Sequence, residues 1–110
     1  MSTQKELDLR ARQLTFVPES LKELSDLEEL DLDQNQLDTI PSWLGELTRL
    51  KSLSLYHNLL KTLPESIWQL TNLRTLNLAD NHFSSVSEAI GNLVHLRMLK
   101  CLGAKRLSNK

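Results

Sequence analysis

The chain has 110 residues, 40% of them apolar, with 13 Lys and Arg against 14 Asp and Glu. This length fits one compact domain, and the apolar fraction is high enough for a hydrophobic core. The single cysteine excludes an intramolecular disulfide and a multi-cysteine zinc cluster. The N-terminus lacks an apolar signal region, and no segment approaches the ~20 apolar residues of a membrane span. Secreted and membrane proteins are therefore disfavoured, and a cytoplasmic location is expected.

Charge is divided unevenly along the chain. Residues 1–49 carry five basic and eleven acidic side chains, whereas residues 50–110 carry eight basic and three acidic ones. Such polarity does not determine a fold, but it bears on the choice of partner.

The leucines recur with a period of 23 residues. Complete units begin at Leu27, Leu50 and Leu73, with an imperfect unit before them from Gln4 and a truncated unit after them from Leu96. The shared pattern is L-x-x-L-x-L-x-x-N-x-L-x-x-I/L-P-x-x-L/I-x-x-L-x-x. A fixed period of this length indicates stacked repeats with no room for a separate domain or linker. The predicted single domain, residues 1–110, divides into units 4–26, 27–49, 50–72, 73–95 and 96–110.

The spacing within each unit predicts a strand followed by a helical turn. Leu30 and Leu32 are two residues apart, so they point to one face of a strand. Ile40, Leu44 and Leu47 are four and three residues apart, as on one side of a helix that begins at a proline. Stacked units share one core, and the wider helical segments curve the stack. We predict an α/β solenoid, a short horseshoe arc with a concave parallel β-sheet and short helical or 3-10 segments on its convex side.

One polar column follows the predicted strands, because Asn35, Asn58 and Asn81 stand 23 residues apart. A buried amide must be paired, and it can both donate to the backbone and accept from it. We predict a structural asparagine ladder that satisfies backbone groups in its own unit and in the next unit, rather than a ligand site.

On these residues the chain resembles leucine-rich-repeat proteins, specifically the 23-residue L-P-x-x-I/L class of bacterial and Ras-group-related intracellular proteins. The resemblance covers nearly the whole chain and is most specific in the three units from Leu27 to His95. It weakens at Gln4, at Ser87 where proline is expected, and after Cys101. The resemblance implies a horseshoe-like solenoid that binds other proteins through its concave sheet, and it implies no catalytic residues.

Motifs that carry chemistry are missing from the sequence. The three glycines form no phosphate-binding loop. The three histidines lie in different columns without a second ligand at metal-binding spacing, so no metal is expected. His57 and Asp80 share a column, and we interpret them as a surface pair rather than an acid–base pair. We therefore predict a protein that is not an enzyme, has no cofactor and binds neither nucleic acid nor membrane.

The predicted inner wall of the arc is the candidate functional surface. Side chains that alternate with the buried leucines must point into the hollow, and the first two units place mostly acidic residues there, with Arg10 expected beside Asp33. Like charges side by side destabilise a sheet, so folding alone gives no reason for them. We interpret the wall as a docking surface for a protein or peptide with a basic segment, anchored by Tyr56 and His57. The predicted partner-binding residues are Glu29, Asp31, Asp33, Ser54, Tyr56, His57, Asn77 and Asp80.

Three alternatives stay open. The acidic residues can instead form a solvated surface that prevents aggregation through the sheet edge. The chain can be the substrate-recognition arm of a larger signalling or effector enzyme, a ubiquitin ligase or a kinase, and delivery into a host cell as an effector is compatible with the sequence. Finally, an open C-terminal edge beside Leu96, Leu99 and Cys101 favours a homodimer.

The sequence also predicts the environment of several other side chains. Cys101 occupies a leucine position and is expected in the core, whereas the tail 105–110 is expected to be solvated. Phe16 and Phe83 are expected to fill core or cap space. Trp43 and Trp68 are expected to cover the apolar side of their own helical segments.

Overall fold

The computed structural model describes residues 4–100, which form one five-stranded sheet with short helices between consecutive strands. The predictions for Cys101, the tail 105–110 and the C-terminal homodimer edge depend on residues outside this range. The strands are β1 (Glu6–Asp8), β2 (Glu29–Asp31), β3 (Ser52–Ser54), β4 (Thr75–Asn77) and β5 (Met98–Lys100). The 3-10 helices are η1 (Glu19–Glu23), η2 (Ser42–Glu46), η3 (Glu65–Gln69) and η4 (Glu88–Asn92). The predicted solenoid arc with a parallel sheet and 3-10 segments is confirmed.

The sheet keeps the order of the chain, and all neighbouring strands are parallel. Each strand residue pairs with the residue 23 positions later, as Glu6 does with Glu29. Sequence columns therefore become rows across the sheet, and two such rows define what we call the inner face. The first row is Glu6, Glu29, Ser52, Thr75 and Met98, and the second row is Asp8, Asp31, Ser54, Asn77 and Lys100.

The leucines between these two rows form the core. Leu30, Leu53 and Leu76 are at most 2% exposed, and the buried cluster extends along the chain from Val17 to Leu93. Burying one such side chain contributes about 1.5–3 kcal/mol before conformational entropy is subtracted. Because successive strand residues point to opposite faces, burial of the leucines turns the two rows of the inner face outward.

The prolines begin the 3-10 helices through their carbonyl groups. The carbonyls of Pro18, Pro41 and Pro64 each accept the N–H three residues later, at 3.0–3.1 Å. In the unit that lacks the proline, the Ser87 carbonyl makes the same bond and its hydroxyl also accepts the Ala89 N–H at 3.0 Å. Serine is a good residue to cap a helix start, so this departure from the pattern leaves the helix in place.

The large aromatic side chains follow the repeat positions that they occupy. Trp68 is 4% exposed, and Trp43 is half-buried against the core. Phe83 is buried, as predicted. The prediction for Phe16 is wrong, because its side chain is 68% exposed. Its repeat position points outward in the following unit too, where Thr39 is exposed.

Candidate functional site

In each of the first four units the chain leaves its strand through a left-handed residue at the same repeat position. Ala11, Gln34, His57 and Asp80 share this repeat position and have φ angles from 55° to 63°. The N–H of His57 still donates to the Ala79 carbonyl at 3.0 Å, so the ladder between units continues to this residue. The backbone then turns off the sheet and leaves the His57 and Asp80 side chains exposed at the edge of the inner face.

The next residue in the complete units is the asparagine, and its side chain joins two units. Asn58 is 4% exposed and accepts the N–H of Leu37 at 3.0 Å. Its amide donates to the carbonyls of Leu32 at 3.0 Å and Leu55 at 3.1 Å. The asparagines of the neighbouring units repeat the arrangement. Leu32 and Leu37 precede Asn58 by one unit, so the prediction that the amide reaches forward to the next unit is wrong.

Some acidic residues of the inner face cap backbone groups of their own turns. The carboxylate of Asp8 accepts the N–H two residues later at 3.0 Å, and that of Asp31 does the same at 2.9 Å. The amide oxygen of Asn77 makes the equivalent bond at 3.1 Å. These bonds pair backbone N–H groups at the turns. The expectation that folding gives no reason for the acidic residues is therefore wrong for Asp8 and Asp31.

Asp33 makes this bond across units instead of within one. In the third unit the capping position holds Ser54, and the structure gives its hydroxyl no bond to the N–H two residues later. The carboxylate of Asp33 accepts the Tyr56 N–H at 2.9 Å and the Ser54 hydroxyl at 2.5 Å. An acidic side chain of the second unit thus fixes the backbone of the tyrosine in the third.

Arg10 lies between two carboxylates of the second row, not beside Asp33 as predicted. Its guanidinium bonds to both carboxylate oxygens of Asp8 at 3.2 Å, and its Nε lies 3.5 Å from Asp31. The hydrogen bonds from the Arg10 backbone and side chain lower the pKa of Asp8. Partial burial raises the pKa of Asp31, and the nearby negative charges of Asp33 and Asp8 add to this rise.

The carboxylates of the first row cap no backbone N–H group within residues 4–100. Glu6 and Glu29 are exposed neighbours on β1 and β2, and within residues 4–100 neither carboxylate has a hydrogen-bond or ion-pair partner. They border a depression of about 420 Å³ whose other lining residues are Leu7, Asp8, Leu30, Asp31, Ser52 and Ser54. The polar side chains that line this depression are carboxylates and hydroxyls.

An exposed aromatic cluster lies next to the third strand. The rings of Tyr56 and His57 have centroids 5.9 Å apart and are inclined by 40°. The Nδ1 atom of His57 bonds to the carboxylate of Asp80, so the two residues are neighbours. Tyr56 is 38% exposed, and the side chains of His57 and Asp80 are 61% and 57% exposed. This cluster offers an apolar surface with polar tips.

The predicted site residues thus lie in two adjacent groups. Glu29, Asp31, Asp33 and Ser54 belong to the acidic part, Tyr56, His57 and Asp80 form the aromatic cluster, and Asn77 pairs with Ser54 in the sheet. Glu6 and Asp8 were missing from the predicted set. They occupy the same rows as Glu29 and Asp31, so the 23-residue period was sufficient to include them.

Within residues 4–100 no group of three or more His, Cys, Asp and Glu side chains is arranged to hold a metal ion. Over the same residues no helix is long and apolar enough to cross a membrane.

The repeat architecture corresponds to a known family. A family model described as a leucine-rich repeat region matches residues 4–110. The chain belongs to the leucine-rich repeat family. Leucine-rich repeat domains are generally protein–protein interaction modules and are typically not catalytic. Among curated proteins, none matches the chain.

Two solved structures of bacterial leucine-rich repeat proteins are similar to this domain. The leucine-rich repeat protein LIC12759 of Leptospira interrogans shares 31% identity with a TM-score of 0.71, over 88% of this chain and 31% of its own. The leucine-rich repeat domain of the type III effector XCV3220 (XopL) shares 27% identity with a TM-score of 0.78, over 88% of this chain and 36% of its own. The chain thus spans about a third of each neighbour.

The contact across units at Asp33 is testable by exchange of acceptors. Asp33→Ala removes the acceptor of the Tyr56 N–H, so we expect the free energy of unfolding to fall by about 1–3 kcal/mol. Adding Ser54→Asn supplies an amide that can cap the turn as Asn77 does, and we expect it to restore most of the loss. Urea denaturation measures both. A double variant as unstable as Asp33→Ala would show that the acceptor at Asp33 is not what stabilises this turn.

The raised pKa of Asp31 predicts a pH-dependent gain in stability on its replacement. Above that pKa the ionised carboxyl is less favourable in the folded than in the unfolded chain, and protonation at low pH relieves this cost. Asp31→Asn retains an acceptor for the turn, so we expect it to raise the melting temperature at neutral pH. The gain should shrink as the pH falls through the pKa of Asp31. Thermal denaturation over this range measures it, with exposed Asp38→Asn as the control. A difference that is constant with pH would contradict the prediction.

Proposed function

We propose that this leucine-rich repeat domain binds a protein or peptide through its inner face, and that the partner contributes a basic segment. One observation carries the proposal: Glu6 and Glu29 place two exposed carboxylates side by side that have no partner within residues 4–100. Adjacent like charges on a sheet are unfavourable. A cationic side chain between them would remove the repulsion and gain charge-assisted hydrogen bonds.

The neighbouring aromatic cluster supports the same proposal. Tyrosine is enriched at binding hot spots, because it buries a large area and keeps a hydrogen-bonding tip. The Asp33 contact fixes the backbone of Tyr56, so this side chain is presented from an ordered turn. We therefore propose Glu6, Glu29, Tyr56 and His57 as contact residues. Asp31, Asp33, Ser54 and Asn77 are proposed to support them, and Asp80 to orient His57.

The size of the face limits the partner. Five strands at ~4.8 Å spacing give a sheet only ~20 Å wide. This width suits a peptide, a loop or one small domain rather than a large interface. We further propose that the domain has no catalytic activity or cofactor of its own, acts in the cytoplasm, and forms a single unit over residues 1–110.

A second candidate function is that of a recognition arm within a larger signalling or effector enzyme. It is favoured by the similarity to the repeat domain of a type III effector, of which this chain covers 36%. In that case the inner face would select the substrate, and catalysis would reside in another part of the longer protein.

The proposal is testable with a labelled peptide that carries two Lys-Arg pairs. We expect Glu6→Gln with Glu29→Gln to weaken its binding roughly tenfold at low ionic strength, because two charge-assisted contacts are lost. Tyr56→Ala should weaken binding without lowering the melting temperature. Fluorescence anisotropy and thermal denaturation measure these effects.

A matched control separates a site from general attraction to negative charge. Glu46→Gln with Glu65→Gln removes the same charge from exposed positions on η2 and η3. We expect this pair to leave the affinity within about twofold. Equal losses in both pairs of variants would contradict a binding site on the inner face.

A further inference from the structure

A row of basic residues lies just before the last three strands of the sheet. Lys51, Arg74 and Arg97 directly precede β3, β4 and β5, and we call them the basic ridge. The Arg74 N–H donates to the Lys51 carbonyl at 2.7 Å, and the Arg97 N–H donates to the Arg74 carbonyl at 2.8 Å. The three cations therefore stand on consecutive units ~4.8 Å apart, where like charges repel one another.

Most of these cations lack an internal counter-ion. Lys51 lies 3.5 Å from Glu28. Arg74 and Arg97 are exposed, and within the described part of the chain neither has an acidic partner. Earlier in the chain Arg49 lies 3.8 Å from Asp26, whereas exposed Lys5, at the same repeat position before β1, has no acidic partner within residues 4–100. Two exposed cations without an acidic partner in the described chain thus lie beside the last two described strands.

Two unpaired carboxylates therefore lie at one end of the sheet, and two unpaired guanidinium groups lie beside the strands at the other end. Glu6 and Glu29 lie on β1 and β2, whereas Arg74 and Arg97 precede β4 and β5. The centres of these two pairs are three strand spacings apart, about 14 Å. An extended peptide advances ~3.3 Å per residue, so about four residues bridge this distance.

We infer that the partner segment is bipolar, with a basic cluster for Glu6 and Glu29 and, about four residues away, an acidic cluster for the basic ridge. This inference rests on the proposed function and adds the sign and spacing of the second contact. Complementary charges at both ends also fix the direction in which the segment lies across the strands. A nucleic acid is a poorer match, because the carboxylates of the first two strands repel a continuous polyanion.

The test uses two labelled synthetic peptides and the full chain. The bipolar peptide carries Lys-Arg, a Gly-Ser spacer and Glu-Asp, so that the centres of its two clusters are four residues apart, and the basic-only peptide has Gln-Asn in place of the acidic cluster. We expect the wild-type chain to bind the bipolar peptide about tenfold more tightly at low ionic strength. Arg74→Glu with Arg97→Glu should abolish this difference. Lys22→Glu with Lys61→Glu, the same charge change at other exposed positions, should preserve it.

A charge-inverted variant tests the direction of binding. Glu6→Arg and Glu29→Arg combined with Arg74→Glu and Arg97→Glu should again bind the bipolar peptide, now in the reverse direction. A nitroxide at the basic end should broaden amide signals of β1 and β2 in the wild-type chain, and those of β4 and β5 in the variant. If this variant fails to fold, the affinities of the Arg74→Glu, Arg97→Glu variant for the two peptides decide whether the basic ridge contacts the acidic cluster.

The outcomes separate this inference from the proposed function. If wild-type chain binds both peptides equally, the bipolar partner is wrong and the basic-segment proposal stands. If it binds neither peptide, both are wrong. If a single-stranded oligothymidylate binds through Arg74 and Arg97 while the bipolar peptide shows no dependence on them, the ridge is a nucleic-acid site and the inference is overturned.

Discussion

The buried asparagine amide is the interaction on which the rest of the structure depends. Asn58 accepts one backbone N–H and donates to carbonyls of two units, groups that the turns leave without a partner of their own. Leaving buried backbone groups unpaired costs about 1–3 kcal/mol each. Because each such turn is held to the one before it, the strands keep a single register. Side chains 23 residues apart then stand side by side, and isolated charges in the sequence become a continuous surface.

The same register divides the polar residues of the inner face into two kinds. Asp8 and Asp31 on the inner face, like Asp33 just beyond β2, accept backbone N–H groups and so stabilise the turns. Glu6 and Glu29 have exposed carboxylates with no partner in residues 4–100, and they are the proposed contacts for another molecule. Acidic residues that are adjacent in sequence and in space therefore differ in role, and only their contacts separate them. In this leucine-rich repeat domain, strands of only three residues carry both acidic residues that cap turns and acidic residues without a partner.

The period of the sequence was sufficient to predict the fold, because burial of leucines at fixed spacing leaves one way to stack the units. It also predicted the rows of the sheet and the neighbourhood of His57 and Asp80. It did not predict that Arg10 contacts Asp8 and Asp31, or that Asp33 supports the next unit. Those contacts depend on side-chain length and rotamer at the junction of two units. The alignment of the repeats contains no information on rotamers. The exposure of Phe16 had a signal in its column of polar residues, and that signal was overlooked.

The central claim is that buried asparagine side chains, rather than leucine burial alone, align the units. The most direct measurement is the free energy of unfolding, by urea denaturation, of Asn58→Ala compared with Asn72→Ala. Asn72 is exposed and its amide makes a single bond, to the Thr48 carbonyl at 2.9 Å. We expect Asn58→Ala to lose about 1–3 kcal/mol or more and Asn72→Ala to lose less than about 0.5 kcal/mol. Equal small losses in the two variants would contradict the account.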